Sequence, residues 1–159
     1  GGVHLDKIAE QGDENAFTLP HPTVQGSPFD FSFSGLKTAV INLIHNASQK
    51  GEQLPVADLS ASFRKAVVDC LLKNVILAMN DTNYKKLVIA GGVSANSLLR
   101  RRLQQECKEK GWEIHMPALN LCGDNAAMVG AQAYYEFLAG KIAGMDLNAC
   151  AAMQIDNNF

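Results

Sequence analysis

The sequence predicts an α/β protein, and three observations carry that prediction. A β-branched apolar run at residues 86–90 is bounded by turn signals, as a parallel strand is. Segments with apolar residues three and four positions apart alternate with such short runs along the chain. Glycines and prolines punctuate the boundaries between them.

Taken in order, residues 3–11 have the propensity of a short helix. Gly12, Asp13, Pro20, Pro22, Gly26 and Pro28 then break regular structure, so 12–28 is predicted as a long irregular connection. Phe29, Phe31 and Phe33 alternate with Asp30, Ser32 and Ser34, the period-two pattern of a half-buried strand ending at Gly35. Leu36, Val40, Leu43 and Ile44 follow helical spacing, with Ser34 placed to cap and residues 51–55 closing the segment. Residues 56–80 predict the longest helix, roughly six or seven turns, with Leu59, Phe63, Val67, Cys70, Leu71, Val75 and Ala78 on one face.

The strand at 86–90 ends in Gly91 and Gly92. A helix with a basic face follows at 94–110, stopped by Gly111. Residues 112–116 read as another short strand, and 124–138 as an Ala-rich helix with apolar Met128, Val129, Tyr134 and Phe137. The tail, 145–159, is expected to be loosely structured. This succession of strands and helices implies loops gathered at the C-terminal ends of the strands.

A chain of 159 residues, 47% hydrophobic and 19% charged, fits one compact globular domain and not a disordered chain. A net charge of −2 gives no general pull on nucleic acid or an anionic membrane, so any such contact rests on a local patch. Cys70, Cys107, Cys122 and Cys150 form no CxxC or CxxH pair, which argues against a zinc knuckle and suits a reducing cytoplasm. No apolar run approaches the roughly 18 residues of a membrane span, and no signal-peptide layout is present, so a soluble cytoplasmic protein is expected. The chain opens on Gly1 and not on Met, and is expected to be a piece of a longer one.

Three stretches are candidates for chemistry. In the first, a strand breaks into Gly91 and Gly92 and a helix starts at once through Ser94 and Asn96. Glycines admit a ligand close to the backbone and a helix N-terminus offers unpaired N–H groups, a combination suited to a phosphate or a nucleotide ribose. It is neither a Walker loop nor GxGxxG, and a plain tight turn with Asn96 as a polar first-turn residue is the alternative. In the second, Cys122, Gly123, Asp124 and Asn125 open an apolar helix, where Asp124 is either an N-cap or an oxygen ligand to a metal or a contact to phosphate. In the third, Ser32, Ser34 and Lys37 cluster at a strand-to-helix turn that either touches a nucleotide or merely caps a helix. Arg100, Arg101, Arg102, Lys108 and Lys110 make one helix basic, either as a solvated face or as an RNA contact. His4, His21, His45 and His115 are scattered without HxxxH or HExxH, so the sequence assembles no complete metal centre.

Together these stretches resemble the TsaD family, formerly called glycoproteases. Gly1-Gly2 with the segment from Leu5 to Ala9 is similar to the family's YPGGP stretch. Residues 29–40 resemble its FDFSFSGLKTAV, 87–99 its LVxAGGVSANxxLR, and 122–128 its CTDNAAM, all in order over nearly the whole chain.

The resemblance implies the C-terminal lobe of an actin-like ATPase fold, with residues 1–159 as a single lobe of a two-lobe enzyme. It implies transfer of a threonylcarbamoyl group from threonylcarbamoyl-AMP to N6 of the adenosine beside the tRNA anticodon. An iron or zinc ion is implied, held by two histidines of an HxxxH helix in the other lobe and by Asp124. Gly2 and Asn96 match positions that contact the adenylate, and Gly91 and Gly92 adjoin them. Ser34 and Lys37 are further nucleotide candidates. Implied partners are tRNA, a TsaB-like paralogous subunit and a TsaE-like ATPase. The chain alone is expected to be inactive, weak in metal binding, and inclined to self-associate through a sheet edge left bare. A metal-dependent glycoprotein endopeptidase, or a lobe of another actin-like ATPase relative, is the competing reading.

Three departures from the family pattern stand out. Gly123 replaces a Thr, which loosens the backbone beside Asp124. Arg64 and Lys65 stand where relatives carry acidic or Gln-Glu residues, which weakens the adenylate site if that position faces the nucleotide and is harmless if it faces solvent. Val3 and His4 replace a Pro, which relaxes the Gly-Gly turn.

Overall fold

The computed structural model describes residues 1–26, 28–149 and 151. Packing divides the chain into two compact units, Gly1–Gly123 and Asp124–Phe159. The first is a mixed α/β unit holding helices α1 (Gly2–Ala9), α2 (Ser34–Gln49), α3 (Val56–Thr82) and α4 (Ser97–Lys110), and strands β1 (Lys86–Val88) and β2 (Glu113–His115). The second carries α5 (Ala126–Leu138).

Helix α3 is the axis of the first unit. Pro55 sets its entry, Asp58 in its first turn complements the positive end of the helix, and Asn83 stops it in the left-handed conformation at φ 57°. Its middle is covered on several sides, where the sequence predicted one apolar stripe. Phe63 and Val67, on the predicted face, pack with Ala66 against Leu19 and Leu36. Val68 and Leu72 meet Leu98, Leu99 and Leu103 of α4 in the main core. Each such side chain contributes on the order of 1.5–3 kcal/mol by leaving water. Ser62 serves a third side: its hydroxyl donates to the Asp13 carbonyl and accepts the Phe17 amide, so the irregular connection is strapped to α3.

The two strands pair in parallel, with Lys86, Leu87 and Val88 opposite Glu113, Ile114 and His115. Parallel pairing agrees with the sequence; the apolar run 86–90, which reads as a buried strand, is only partly buried. Leu87, Ile89 and Ile114 pack toward the helical core, whereas Val88 is 70% exposed. Two strands with helices on one face leave the other face to solvent, where Lys86 and Glu113 form an open ion pair at 3.4 Å.

Residues 29–33 are not a strand. Phe29, Phe31 and Phe33 are all exposed, and the rings of Phe31 and Phe33 stack at 6.3 Å. The segment is held by the Asn74 amide donating to the Asp30 carbonyl at 2.8 Å, a side-chain tether to α3 in place of a ladder. Without a neighbouring strand edge, alternation by itself does not make a strand. Ser34 does not cap α2; Phe33 holds that position, and the Ser34 carbonyl accepts the Thr38 hydroxyl. Gly1 and Gly2 lead straight into α1 and form no turn, with the Gly1 carbonyl accepting the Leu5 amide. Helix α4 starts at Ser97, three residues later than predicted, because a 3₁₀ turn at Gly92–Ala95 comes first. Of the predicted loose tail, residues 150 and 152–159 lie outside the described residues.

Candidate functional site

Gly91, three residues beyond β1, opens the 3₁₀ turn with φ 80° and ψ 171°, a conformation that an L residue adopts only under strain. Its carbonyl accepts both the amide and the hydroxyl of buried Ser94, which closes the 3₁₀ turn. No atom lies within 4 Å of where a Cβ would stand on Gly91 or Gly92, so this backbone is open to close approach. Asn96 is the N-cap of α4: its Oδ1 accepts the Leu99 amide at 2.9 Å. The cap uses only the carbonyl half of the carboxamide, and the Nδ2 donor is not engaged in it.

A buried ionic cluster joins this turn to α1. The Asp6 Oδ2 accepts the Ser97 amide at 3.0 Å and Oδ1 accepts the Ser97 hydroxyl at 3.2 Å, so a carboxylate from α1 serves the first turn of α4. Arg64, 6% exposed, reaches the same carboxylate from α3 at 3.0 Å. Its Nη1 also donates to the Asp6 carbonyl and the Ser97 hydroxyl, and its Nη2 to the Ala9 carbonyl. Burial alone raises the Asp6 pKa; the Ser97 amide, the Arg64 guanidinium and the Ser97 hydroxyl outweigh it and hold the group below the usual carboxylate value. Arg64 thus faces neither solvent nor an open site, and Lys65 pairs with Asp69 at 2.9 Å on the helix surface. The cluster joins α1, at Asp6, to the first turn of α4, at Ser97.

The basic run of α4 is largely occupied within the first unit. Arg100 donates to the carbonyls of Ser94 and Pro117, each at 2.9 Å, and clasps the glycine turn to the loop after β2. Arg102 pairs with Asp69 at 3.2 Å, while Lys110 lies near Glu106 and over the Trp112 ring. Arg101 and Lys108 remain exposed, which is a thin basis for an RNA-binding face.

Ser34 and Lys37 lie on the exposed first turn of α2, whose buried Leu36 packs toward Leu19 and Ala66. Among the described residues, neither side chain hydrogen-bonds the Gly2 or Asn96 segments. Asp124 belongs to the second unit. It does not cap α5: Asn125 does, accepting the Met128 amide at 2.9 Å. The Asp124 carboxylate is exposed and makes no hydrogen bond or ion pair among the described residues. A cleft of about 420 Å³ between the 21–32 connection and α3, lined by His21, Phe31, Ser32, Cys70 and Lys73, takes in Ser32 but none of Gly2, Ser34, Lys37, Gly91, Gly92 and Asn96.

The family model described as TsaD, tRNA N6-adenosine threonylcarbamoyltransferase, matches residues 1–131. The chain belongs to the TsaD family. Proteins named tRNA N6-adenosine threonylcarbamoyltransferase are similar to it over most of its length. That of Clostridium botulinum (strain Kyoto / Type A2) is 43% identical over 155 residues, 98% of this chain and 46% of the relative. Those of Clostridium beijerinckii and Moorella thermoacetica are 43% and 42% identical over 149 residues, 94% of this chain and 44% of each relative. The chain therefore spans about half the length of the TsaD relatives it matches.

A metal is expected of the TsaD family, but the described residues do not form a site for one. No group of three His, Cys, Asp or Glu side chains converges among them, and Asp124 alone is one hard-oxygen donor. Among the described residues no helix is long and apolar enough to cross a membrane. Sequence reasoning placed Gly91, Gly92 and Asn96 in one turn, missed Asp6 and Ser97, and offered Arg64 only as facing a nucleotide or solvent, where the structure buries it against Asp6. Arg64 stands beside Lys65 on a helix that also carries Asp58, Asp69 and Lys73, so its own sequence neighbourhood does not mark it as the buried one.

Proposed function

We propose that this chain is the C-terminal, nucleotide-contacting lobe of an actin-like tRNA threonylcarbamoyltransferase. The observation that carries the reading is the joining of the Gly2 segment to the Asn96 turn by the Asp6–Ser97 bonds. Two stretches far apart in a TsaD-family sequence thereby meet at one helix terminus.

Gly91 and Gly92 offer open backbone to the ligand, and Asn96 offers its Nδ2 donor while its Oδ1 keeps the cap. The Asp6 carboxylate already neutralises the positive end of α4. With the Ser97 amide already taken by Asp6, a phosphate finds one fewer free donor there, which favours reading the nucleoside part of threonylcarbamoyl-AMP. Holding that part in place orients the carbamoyl carbonyl for attack by the adenosine N6 amine of tRNA, with AMP leaving. Ser34 and Lys37 are secondary candidates. Asp124 supplies one ligand to an iron or zinc ion whose remaining ligands come from outside this chain. A TsaB-like subunit and a TsaE-like ATPase are the proposed protein partners, in the cytoplasm. The exposed Val88 face supports self-association of the chain alone.

The test is a chimera of the Clostridium botulinum relative in which the matching segment is replaced by this chain's. Expressed in cells depleted of their own enzyme, it is expected to restore threonylcarbamoyladenosine to tRNA, read by nucleoside mass. A folded chimera that leaves tRNA unmodified, or cleaves a glycoprotein instead, overturns the proposal.

A further inference from the structure

Arg64 stands out because it is a buried cation on a helix that carries none of the nucleotide candidates. Three elements converge on it: α3 supplies the guanidinium, α1 supplies the Asp6 carboxylate and the carbonyls of Asp6 and Ala9, and α4 supplies Ser97. A planar fork with several donors satisfies acceptors on two elements at once, which an ammonium cannot match. The carboxylate it holds is the one that takes the Ser97 amide, so the position of Asp6 over α4 depends on Arg64 from below. Gly2 lies one turn before Asp6 on α1, and Asn96 immediately precedes Ser97.

We propose that Arg64 is a positioning residue for the nucleotide site: from α3 it fixes the spacing between the Gly2 segment of α1 and the Asn96 cap of α4. The inference rests on the nucleotide reading of Gly2 and Asn96 given above. It adds to that reading a residue on α3, away from both nucleotide-candidate segments. Loss of the fork lets α1 shift against α4 while each helix keeps its own hydrogen bonds, and small shifts between contact groups weaken binding out of proportion.

Adenosine titrated into the 159-residue chain, followed by amide chemical shifts, is the test. Arg64→Met is expected to bind at least about tenfold more weakly than wild type, and Arg64→Lys to fall between, since it keeps the charge opposite Asp6 but not the fork. Arg102→Met, which removes the neighbouring pair with Asp69, is expected to lower stability without changing affinity. Wild-type affinity in Arg64→Met overturns the proposal; if that variant does not fold, wild-type affinity in Arg64→Lys does so. Hydrogen exchange without ligand is the second arm. The Ser97 amide is expected to exchange faster in the Arg64 variants while the Ile89 amide, bonded to the His115 carbonyl, stays protected. Unchanged Ser97 protection also overturns the proposal. Absence of any adenosine-induced shift in wild type defeats the nucleotide reading itself, and the exchange arm then decides whether Arg64 holds the two segments together.

Discussion

Asp6 and Ser97, 91 positions apart in the sequence, are joined by two hydrogen bonds: the Asp6 carboxylate accepts both the amide and the hydroxyl of Ser97. Because Asp6 lies on α1 and Ser97 opens α4, this one relationship ties the start of the chain to the glycine turn after β1. Arg64 completes it from α3.

Removing the guanidinium leaves Asp6 without its buried counter-ion. Arg64→Met is therefore expected to destabilise the chain by about 3 kcal/mol, within the range for breaking a buried pair. Lys65→Met, which removes a surface i,i+4 pair with Asp69, should cost about 0.3–0.5 kcal/mol. Urea denaturation of both variants at neutral pH measures the contrast; equal midpoints contradict the buried cluster.

The lowered pKa of Asp6 carries a pH dependence of fixed sign. A group more acidic when folded than when unfolded stabilises the fold fully above its unfolded pKa, near about 4 for a carboxylate. That contribution is lost as pH falls through the folded value. Stability measured from pH 7 down to pH 3 should fall less steeply in Asp6→Asn than in wild type. Parallel curves exclude Asp6 as a contributor.

Asn96 has two separable roles. Asn96→Ala should cost about 1 kcal/mol by deleting the cap acceptor, and Asn96→Ser should largely restore stability because a hydroxyl caps equally well. Neither variant retains the amide donor, so both should lose adenosine binding. Thermal unfolding and titration of the same two proteins check this; adenosine binding retained in Asn96→Ser removes Nδ2 from the site.

Gly12 was legible in the sequence only as a helix breaker. In the structure its Cα runs against α3, where an added Cβ collides with the backbone of Ala57. Gly12→Ala should destabilise by roughly 1–3 kcal/mol, the range for overpacking, through displacement of the α1–α3 connection. A variant as stable as wild type in urea contradicts that close approach.

Local rules carried the reading of the chain where one element decides its own fate. The long apolar periodicity of α3, the β-branched run at β1 and the stop at Gly111 in the left-handed conformation all follow from neighbouring residues. The errors arise where a distant partner decides. Phe29, Phe31 and Phe33 alternate like a strand, yet among the described residues no strand pairs with them and Asn74 fixes the segment instead. Ser34 and Asp124 looked like caps, but the capping position lies one residue earlier in the first case, at Phe33, and one residue later in the second, at Asn125. The basic face of α4 looked solvated until Asp69, Ser94 and Pro117 supplied acceptors for two of its arginines. Arg64 is the sharpest case, since its counter-ion lies 58 positions earlier and nothing near it in the sequence announces the pair.

The most direct test of the account is a map of the backbone amides of the wild-type chain that shift when adenosine is added. The account predicts that Gly2, Gly91, Gly92 and Asn96 move together, with Ser97 and Asp6 beside them. Shifts confined to His21, Phe31, Cys70 and Lys73 around the cleft on α3, or no shifts at all, contradict it.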